Sequence, residues 1–551
     1  MHIKFKIPLI LFLILFIAIS ARALTDTEID ALIGSMSVEE KVGQLLIFGI
    51  GGKQVGTVAK AHIVKRFVGS VILYDRNVQD PAQVAALTFA LQKTAQETPN
   101  AIPLFIAIDQ EGGTVARLRK GATVLPGNLA LGATRSVALA EKAGELTAIE
   151  LATVGINLNF APVMDVNTNP HNPVIGVRAY GESRDLVSQL GTAYIRGLQR
   201  YGVLATAKHF PGHGDTNVDS HKKLPIVTHN KKRINTIELA PFHAAIKADV
   251  AAIMSAHILY PVLDREMPAT LSYPILTRLL RQQFGFDGLI ITDDLEMKAI
   301  DDQYETGNAA VLAIQAGADM VMVPWTLKKQ QRVYNALRQA VHRRDITERR
   351  LNNSVRRILK SKDACGAFDK PLVPIENPNA INSPLAVVGS RQHREIAQTI
   401  ATQAITLVKN TGGILPLSQE PQEPVLVISP AREFSNTFLK AHTDITHINP
   451  VLIPAQLNAK QLAPVLLLSK PSLIVAGIVN AQQANLIHEL SQKTDIPIIV
   501  ISLKSPYLLG KCPDVACAIA AYDGNYFSVA AAVDVLLGKR QATGKLPVTI
   551  P

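Results

Sequence analysis

Cysteine is scarce: Cys365, Cys512 and Cys517 are the only three in 551 residues. They show no metal-ligand spacing and cannot make a disulfide framework, so a cysteine-built metal centre and a disulfide-stapled scaffold are both excluded. A Cys512–Cys517 bridge is conceivable in an oxidising compartment, but buried thiols are the simpler expectation. Dense basic blocks with interleaved aromatics are also missing, which argues against nucleic acid as a partner. The formal charge of +11 falls by three to +8 once Lys4, Lys6 and Arg22 are set aside, a modest excess for this length. Beyond Ile19 no stretch reaches the roughly 20 apolar residues that a membrane helix needs.

What is present starts with Lys4 and Lys6, an apolar run from Ile7 to Ile19, and the small-x-small pattern Ala21-Arg22-Ala23. Residues 1–23 read as a secretory signal peptide, with an uncleaved N-terminal anchor as the alternative. No cysteine follows that could accept a lipid. The expectation is an exported protein, periplasmic or secreted, without an integral membrane segment after cleavage and a monomer or weak oligomer.

Eight short apolar runs recur through the first 325 positions, with helix-like amphipathic stretches between most of them. They begin at residues 45, 69, 104, 156, 203, 251, 288 and 319. Near-continuous apolar strands alternating with helices indicate a parallel sheet covered on both faces. Eight units in about 300 residues fit an α/β fold of the (β/α)8 TIM-type barrel class, over residues 24–367. An open doubly wound sheet is the alternative. The barrel carries a check, because its reactive groups sit where strands end. Asp109 closes the third run, Asp165 follows the fourth, Lys208 and His209 close the fifth, His257 the sixth and Asp293 the seventh. Convergence of five such ends on one rim is more than helix capping explains.

The proline- and asparagine-rich stretch 368–384 reads as a linker. Beyond it, residues 385–551 hold an amphipathic helix near Arg391 to Thr402 and apolar runs at 424, 472, 497 and 516. A smaller α/β sandwich domain without a comparable set of acids and histidines is expected there, with a structural or binding role.

"AKHFPGHGDTNVDSHKKLP", residues 207–225, is rich in proton carriers and poor in aliphatics, so it reads as a surface loop. One reading gathers His209, His213, Asp215 and His221 around a metal, yet their order matches no standard pattern and Lys208 is an awkward neighbour for a cation. The other pairs Asp219 with His221: residues two apart on an extended segment project to one side, so the carboxylate can orient the imidazole as a proton shuttle. No metal and no cofactor is expected. Asp293, in "ITDDLEM", can attack a sugar, bind a metal or cap the next helix, and Asp294 can take the capping role instead. Asp109, in "IDQEGG", precedes two glycines that suit either close approach to a ligand or an ordinary turn. Arg117 and Arg178 offer planar donors for hydroxyls, carbonyls or carboxylates.

Taken together, "KHFPGHGDTNVDSH", "IDQEGGTVAR", "VIGVRAYG" and "ITDDLEM" resemble glycoside hydrolase family 3, in its β-N-acetylglucosaminidase (NagZ-type) branch. The resemblance covers nearly the whole chain after residue 23, since "ITLVKNTGGILPL" and "GKLPVTIP" are similar to the family's second domain. It implies a barrel followed by an α/β sandwich, Asp293 as nucleophile, His221 as general acid/base and Asp219 as its orienting partner. It further implies that Asp109, Arg117, Arg178, Lys208 and His209 hold the sugar. The chain departs from the pattern at Thr114, where bacterial relatives often carry arginine, and at Lys222–Lys223; both bear on substrate preference more than on reaction type.

The implied activity is that of a retaining exo-β-N-acetylglucosaminidase on GlcNAc-containing glycans, peptidoglycan fragments or chitooligosaccharides. Retaining pairs ordinarily use two carboxylates. A histidine acid would not repel an anionic acceptor such as phosphate when neutral. A β-glucosidase and a catalytically silent wall-glycan-binding protein are the competing readings. Glucosidases of the family draw their acid/base from the second domain, so a dyad on the barrel loop argues against the first; the intact Asp293, Asp219 and His221 argue against the second.

Overall fold

The computed structural model describes residues 23–369, 383–417, 425–429, 432–441, 448–452 and 470–551, together with Leu462, Leu466 and Leu468. The expected signal peptide (all but Ala23) and the linker (all but Phe368, Asp369, Ser383 and Pro384) lie outside the described residues.

All eight apolar runs are strands: β1 Leu46–Gly49, β2 Ser70–Leu73, β3 Phe105–Ile108, β4 Leu158–Asn159, β5 Leu204–Phe210, β6 Ala252–Ser255, β7 Leu289–Asp294 and β8 Met320–Val323. They pair in parallel and in chain order, and β8 returns to β1 through Leu46–Val321 and Phe48–Val323, closing the barrel. Every residue of β1, β2, β3, β5, β6 and β8 is buried. A strand covered on one side by the barrel interior and on the other by helices has no solvent face, so its sequence does not alternate. The crossover helices are set by local chemistry. Asp80 accepts the Gln83 N–H and Pro81 occupies the first turn of Pro81–Ala95, while Ser183 accepts the Leu186 N–H at the start of Arg184–Arg200.

The second unit is a six-stranded sheet of β9 Thr406–Asn410, β10 Val425–Ser429, β11 Ile448–Leu452, β12 Leu473–Ile478, β13 Ile498–Ser502 and β14 Cys517–Ala520. Its order is β9-β14-β13-β12-β10-β11, parallel apart from the antiparallel β9–β14 edge pair. Helices Arg391–Ala404, Arg432–Ala441 and Tyr526–Leu536 contribute buried residues to the core on one face. The other face shares a core with Leu129, Ala130 and Ala133 of the barrel unit's helix Asn128–Thr134, so the two units are packed through side chains of both. The segment 545–549 fastens them further: Lys545 N–H reaches Ala133 O at 3.0 Å, Glu182 N–H reaches Pro547 O at 3.1 Å, and Glu182 accepts from Thr549. Cys365, Cys512 and Cys517 are buried, and Cys512 and Cys517 are thiols, not a bridge. No helix among the described residues is long and apolar enough to cross a membrane.

Candidate active site

The strand-end groups meet at the C-terminal mouth of the barrel. Lys208, buried in β5, places Nζ 2.8 Å from Asp109 Oδ1 and 2.7 Å from Glu111 Oε1. Arg178 donates to the same Glu111 through Nε at 2.9 Å and Nη2 at 2.7 Å, a two-point pairing. Arg117 stands 3.9 Å from Asp109 and 3.0 Å from Asp75. Burial opposes the charge on Glu111, but Arg178 and Lys208 outweigh it and hold the carboxyl well below its ordinary range. Burial opposes the charge on Lys208 too; Asp109 and Glu111 reverse that and keep the ammonium protonated. The buried Lys208, the partly buried Arg178 and two carboxylates thus compensate one another.

Glu111 is the residue that sequence reading passed over. It sits two residues after Asp109, and the two glycines that follow drew attention to the turn. Gly112 and Gly113 have φ of +92° and +57° at the tip of the small hairpin Gln110–Gly112/Val115–Ala116, and a Cβ on Gly113 would fall 2.7 Å from Gly127 Cα. The glycines therefore serve a tight turn against neighbouring backbone.

His209 and Asp165 form a second buried pair, with Nδ1 2.7 Å from Oδ2. Asp165 also accepts the backbone N–H groups of His209 and His213. The Nε2 of His209 lies 3.5 Å from Arg178 Nη2, which joins this pair to the first group. His257 turns Nε2 onto the Asp294 backbone carbonyl at 2.8 Å and Nδ1 onto the Thr270 hydroxyl at 2.8 Å. Burial lowers this imidazole from its ordinary range, and its two hydrogen bonds support the end of β7.

Two adjacent carboxyls end β7, and their surroundings drive them apart. Burial opposes the charge on Asp293, yet His209, His257, the Asp294 N–H at 2.8 Å and Lys208 together hold it below the usual carboxylate range. Burial pushes Asp294 well above that range, and the charges of Glu296 and Asp293 add to the effect. Asp294 accepts from the Glu296 N–H at 2.8 Å and from Trp325 Nε1 at 3.0 Å. The helix Lys298–Tyr304 starts after Met297, so Asp294 orders a turn and does not cap that helix as expected. Opposite displacement of neighbouring acids makes Asp293 much the easier of the two to ionise.

The stretch 207–225 is a surface loop only in its later part. Residues 207–210 complete β5, residues 211–214 are buried, and exposure begins at 217. The histidines do not gather around one point: the His209 and His213 rings meet edge-to-face at 5.8 Å, but each ring has its own partner. His209 takes Asp165, His213 takes Thr216 and Ser220, Asp215 takes His229, and His221 takes Asp219. The dyad is present: Asp219 Oδ1 lies 2.8 Å from His221 Nδ1, on a ring whose side chain is 64% exposed. Asp219 is held below its usual range because the backbone and ring of His221, with Lys222, outweigh its partial burial. His213, with one nitrogen 2.7 Å from Thr216 Oγ1 and the other 3.0 Å from Ser220 Oγ, anchors the loop from beneath. A backbone bond from Ala299 N to Ser220 O, 3.3 Å, ties the loop to the segment that follows Asp293.

From the second unit, Asp523 reaches the same mouth. With Glu111, Thr114, Arg178 and Lys504 it lines a cavity of about 200 Å³ between the units. Burial raises its carboxyl above the usual range.

A family model described as the glycosyl hydrolase family 3 N-terminal domain matches residues 37–361. A Pseudoalteromonas piscicida protein named β-hexosaminidase A is 36% identical, over 89% of this chain and 90% of its own. A Cellulomonas fimi protein named β-N-acetylglucosaminidase/β-glucosidase is 27% identical, over 94% of each chain. Among solved structures, a family 3 β-N-acetylglucosaminidase from Paenibacillus sp. str. FPU-7 superposes with a TM-score of 0.87 at 38% identity, covering 94% of this chain and 99% of that one.

Proposed function

The chain belongs to glycosyl hydrolase family 3, and from that premise we propose that it is a retaining exo-β-N-acetylglucosaminidase. Its substrate is terminal non-reducing β-linked GlcNAc of peptidoglycan fragments or chitooligosaccharides, met outside the cytoplasm. The observation that carries the reading is the Asp219–His221 pair on a loop bonded to the segment that follows Asp293. The names of the relatives agree with it.

Asp293, ionised, attacks the anomeric carbon while the His221 imidazolium protonates the departing glycosidic oxygen. A glycosyl ester forms with inversion, and the neutral imidazole is left. Water then loses a proton to that imidazole and attacks the same carbon from the opposite side, breaking the ester bond. The sugar leaves with net retention and His221 is again protonated. Asp109, Lys208, Arg178 and Arg117 supply alternating acceptors and donors for sugar hydroxyls, with His209 held beside them by Asp165. No step draws on a Lewis acid or a cofactor.

The Cellulomonas relative is named for both activities, so glucosides are the second substrate class to test. Initial rates on nitrophenyl β-GlcNAc and nitrophenyl β-glucoside separate the two. Preference for the glucoside would overturn the assignment, and turnover of neither would leave a glycan-binding protein.

A further inference from the structure

Trp325 is the only tryptophan of the chain, and 55% of it is exposed immediately after β8. Its exposure does not come from looseness. The indole Nε1 donates to Asp294 Oδ2 at 3.0 Å and the backbone N–H to Glu296 Oε2 at 2.6 Å. The Tyr74 ring lies 4.4 Å away and the Arg76 guanidinium 4.3 Å above the indole. Arg76 is itself fixed by the carbonyls of Ile50 and Pro324, at 2.9 and 2.7 Å. Arg76 also stands 5.3 Å from the Tyr74 ring, so the two groups are neighbours and do not sandwich the indole, more than half of which stays exposed.

This rigid aromatic surface adjoins the reacting groups. Tyr74 feels the charges of Asp109, Asp293 and Asp294, and Arg117 lies 5.4 Å over its ring while reaching toward Asp109. The segment after Asp293 is bonded to Trp325 through Asp294 and Glu296, and to the His221 loop through Ala299 and Ser220. A group that leaves toward His221 therefore emerges over the stretch whose other border is Trp325. On the hexosaminidase reading the charged set holds one ring, and what projects beyond it is the leaving group. One face of a pyranose is a patch of C–H bonds, which suits the electron-rich face of an indole.

We infer that Trp325, braced by Tyr74 and Arg76, is the platform on which the second sugar ring of a β-linked disaccharide stacks while the first is cleaved. The inference rests on the hexosaminidase reading and adds a residue that selects sugar over simple leaving groups.

The single tryptophan makes the test direct. With the Asp293→Asn protein, N,N′-diacetylchitobiose should give a saturable change in tryptophan emission, and N-acetylglucosamine at equal occupancy a much smaller one. In the active protein, Trp325→Ala should lower the ratio of kcat/KM for the disaccharide to kcat/KM for the β-fluoride of GlcNAc by about tenfold. Trp325→Phe, which keeps a flat ring, should recover most of that ratio. An unresponsive emission at saturating disaccharide, or a ratio unmoved by Trp325→Ala, would overturn the platform. If the unmodified protein cleaves neither substrate, the hexosaminidase reading fails by itself, and the emission experiment still decides whether Trp325 carries the second ring.

Discussion

Asp219 Oδ1 accepts twice from His221, from the backbone N–H at 2.9 Å and from ring Nδ1 at 2.8 Å. One oxygen thereby fixes both the turn and the orientation of the imidazole. Nδ1 is committed as a donor, so Nε2 is the atom left to give and take a proton.

The two proposed catalytic groups should therefore fail differently. Asp293→Ala should abolish turnover of every substrate, since no glycosyl ester can form. His221→Ala should spare the first step on a nitrophenyl glycoside, whose leaving group departs unprotonated, and slow cleavage of the natural disaccharide by about 10²- to 10⁴-fold. A burst of nitrophenol, slow turnover and acceleration by azide are expected in stopped-flow traces. Asp219→Ala should give a milder form of the same pattern. Equal losses on both substrates without a burst would remove His221 from the acid/base role.

Neighbouring acids at the end of β7 predict unequal tolerance of amides. Burial makes Asp294 hard to ionise and its two oxygens serve as acceptors for Glu296 N–H and Trp325 Nε1, so Asp294→Asn should cost about 1 kcal/mol of stability and little of kcat. Asp293→Asn should inactivate the protein without unfolding it. Comparable loss of kcat in both would contradict the separation of their charges.

Glu111 pairs with two cations, the buried Lys208 and the partly buried Arg178, and its removal leaves positive charge uncompensated. Glu111→Gln should destabilise by about 3–5 kcal/mol, the usual result of breaking a buried ion group from one side. Urea unfolding measures it. A loss below about 1 kcal/mol would mean that Asp109 alone balances the cations.

His213 gives the fold an acid-sensitive point. Burial, and then the nearby His209, lower it from 6.5 to about 4. Below pH 6.5 the unfolded chain takes up a proton that the folded one refuses, so stability falls from pH 6.5 down to about 4. The sum is about 3 kcal/mol, at about 1.4 kcal/mol per unit. His213→Gln should flatten this part of the pH–stability curve, read from urea midpoints at pH 4.5 and 7. An unchanged slope would assign the acid sensitivity to other groups.

The second unit supplies Asp523 to the mouth but, on this reading, no chemical step. Asp523→Asn should keep kcat on nitrophenyl β-GlcNAc while lowering the unfolding midpoint. A folded variant that binds substrate and does not turn over would move the acid/base role to the second unit and refute the dyad.

The barrel was legible because its strands are short, apolar and evenly spaced, and because the strand-end rule then selects Asp109, Lys208, His209 and Asp293. The edge strand β9 was not. Its residues from Leu407 to Asn410 are partly or wholly exposed, so "TLVKN" carries no burial signal. Trp325 stands just past the eighth run, where the same rule points, but a lone aromatic at a strand end fits core or surface packing as readily as a site. Asp523 could not be found in this way. It reaches the barrel mouth only because the two units share a core, and that is set by packing between residues hundreds of positions apart.

The slip in the ladder at the end of β7 has a consequence for how this strand can change. Ile291 faces Met320 and Asp294 faces Met322, so three steps along β7 match two along β8, and the extra residue falls where Asp293 and Asp294 take up their different surroundings. Losing or gaining a single residue between Leu289 and Thr292 would move both carboxyls out of those surroundings. The loops around the mouth can vary in length without that penalty. The number of residues in β7 is thus as much a part of the site as the aspartate itself, and a one-residue insertion there should cost activity that an insertion in a rim loop does not.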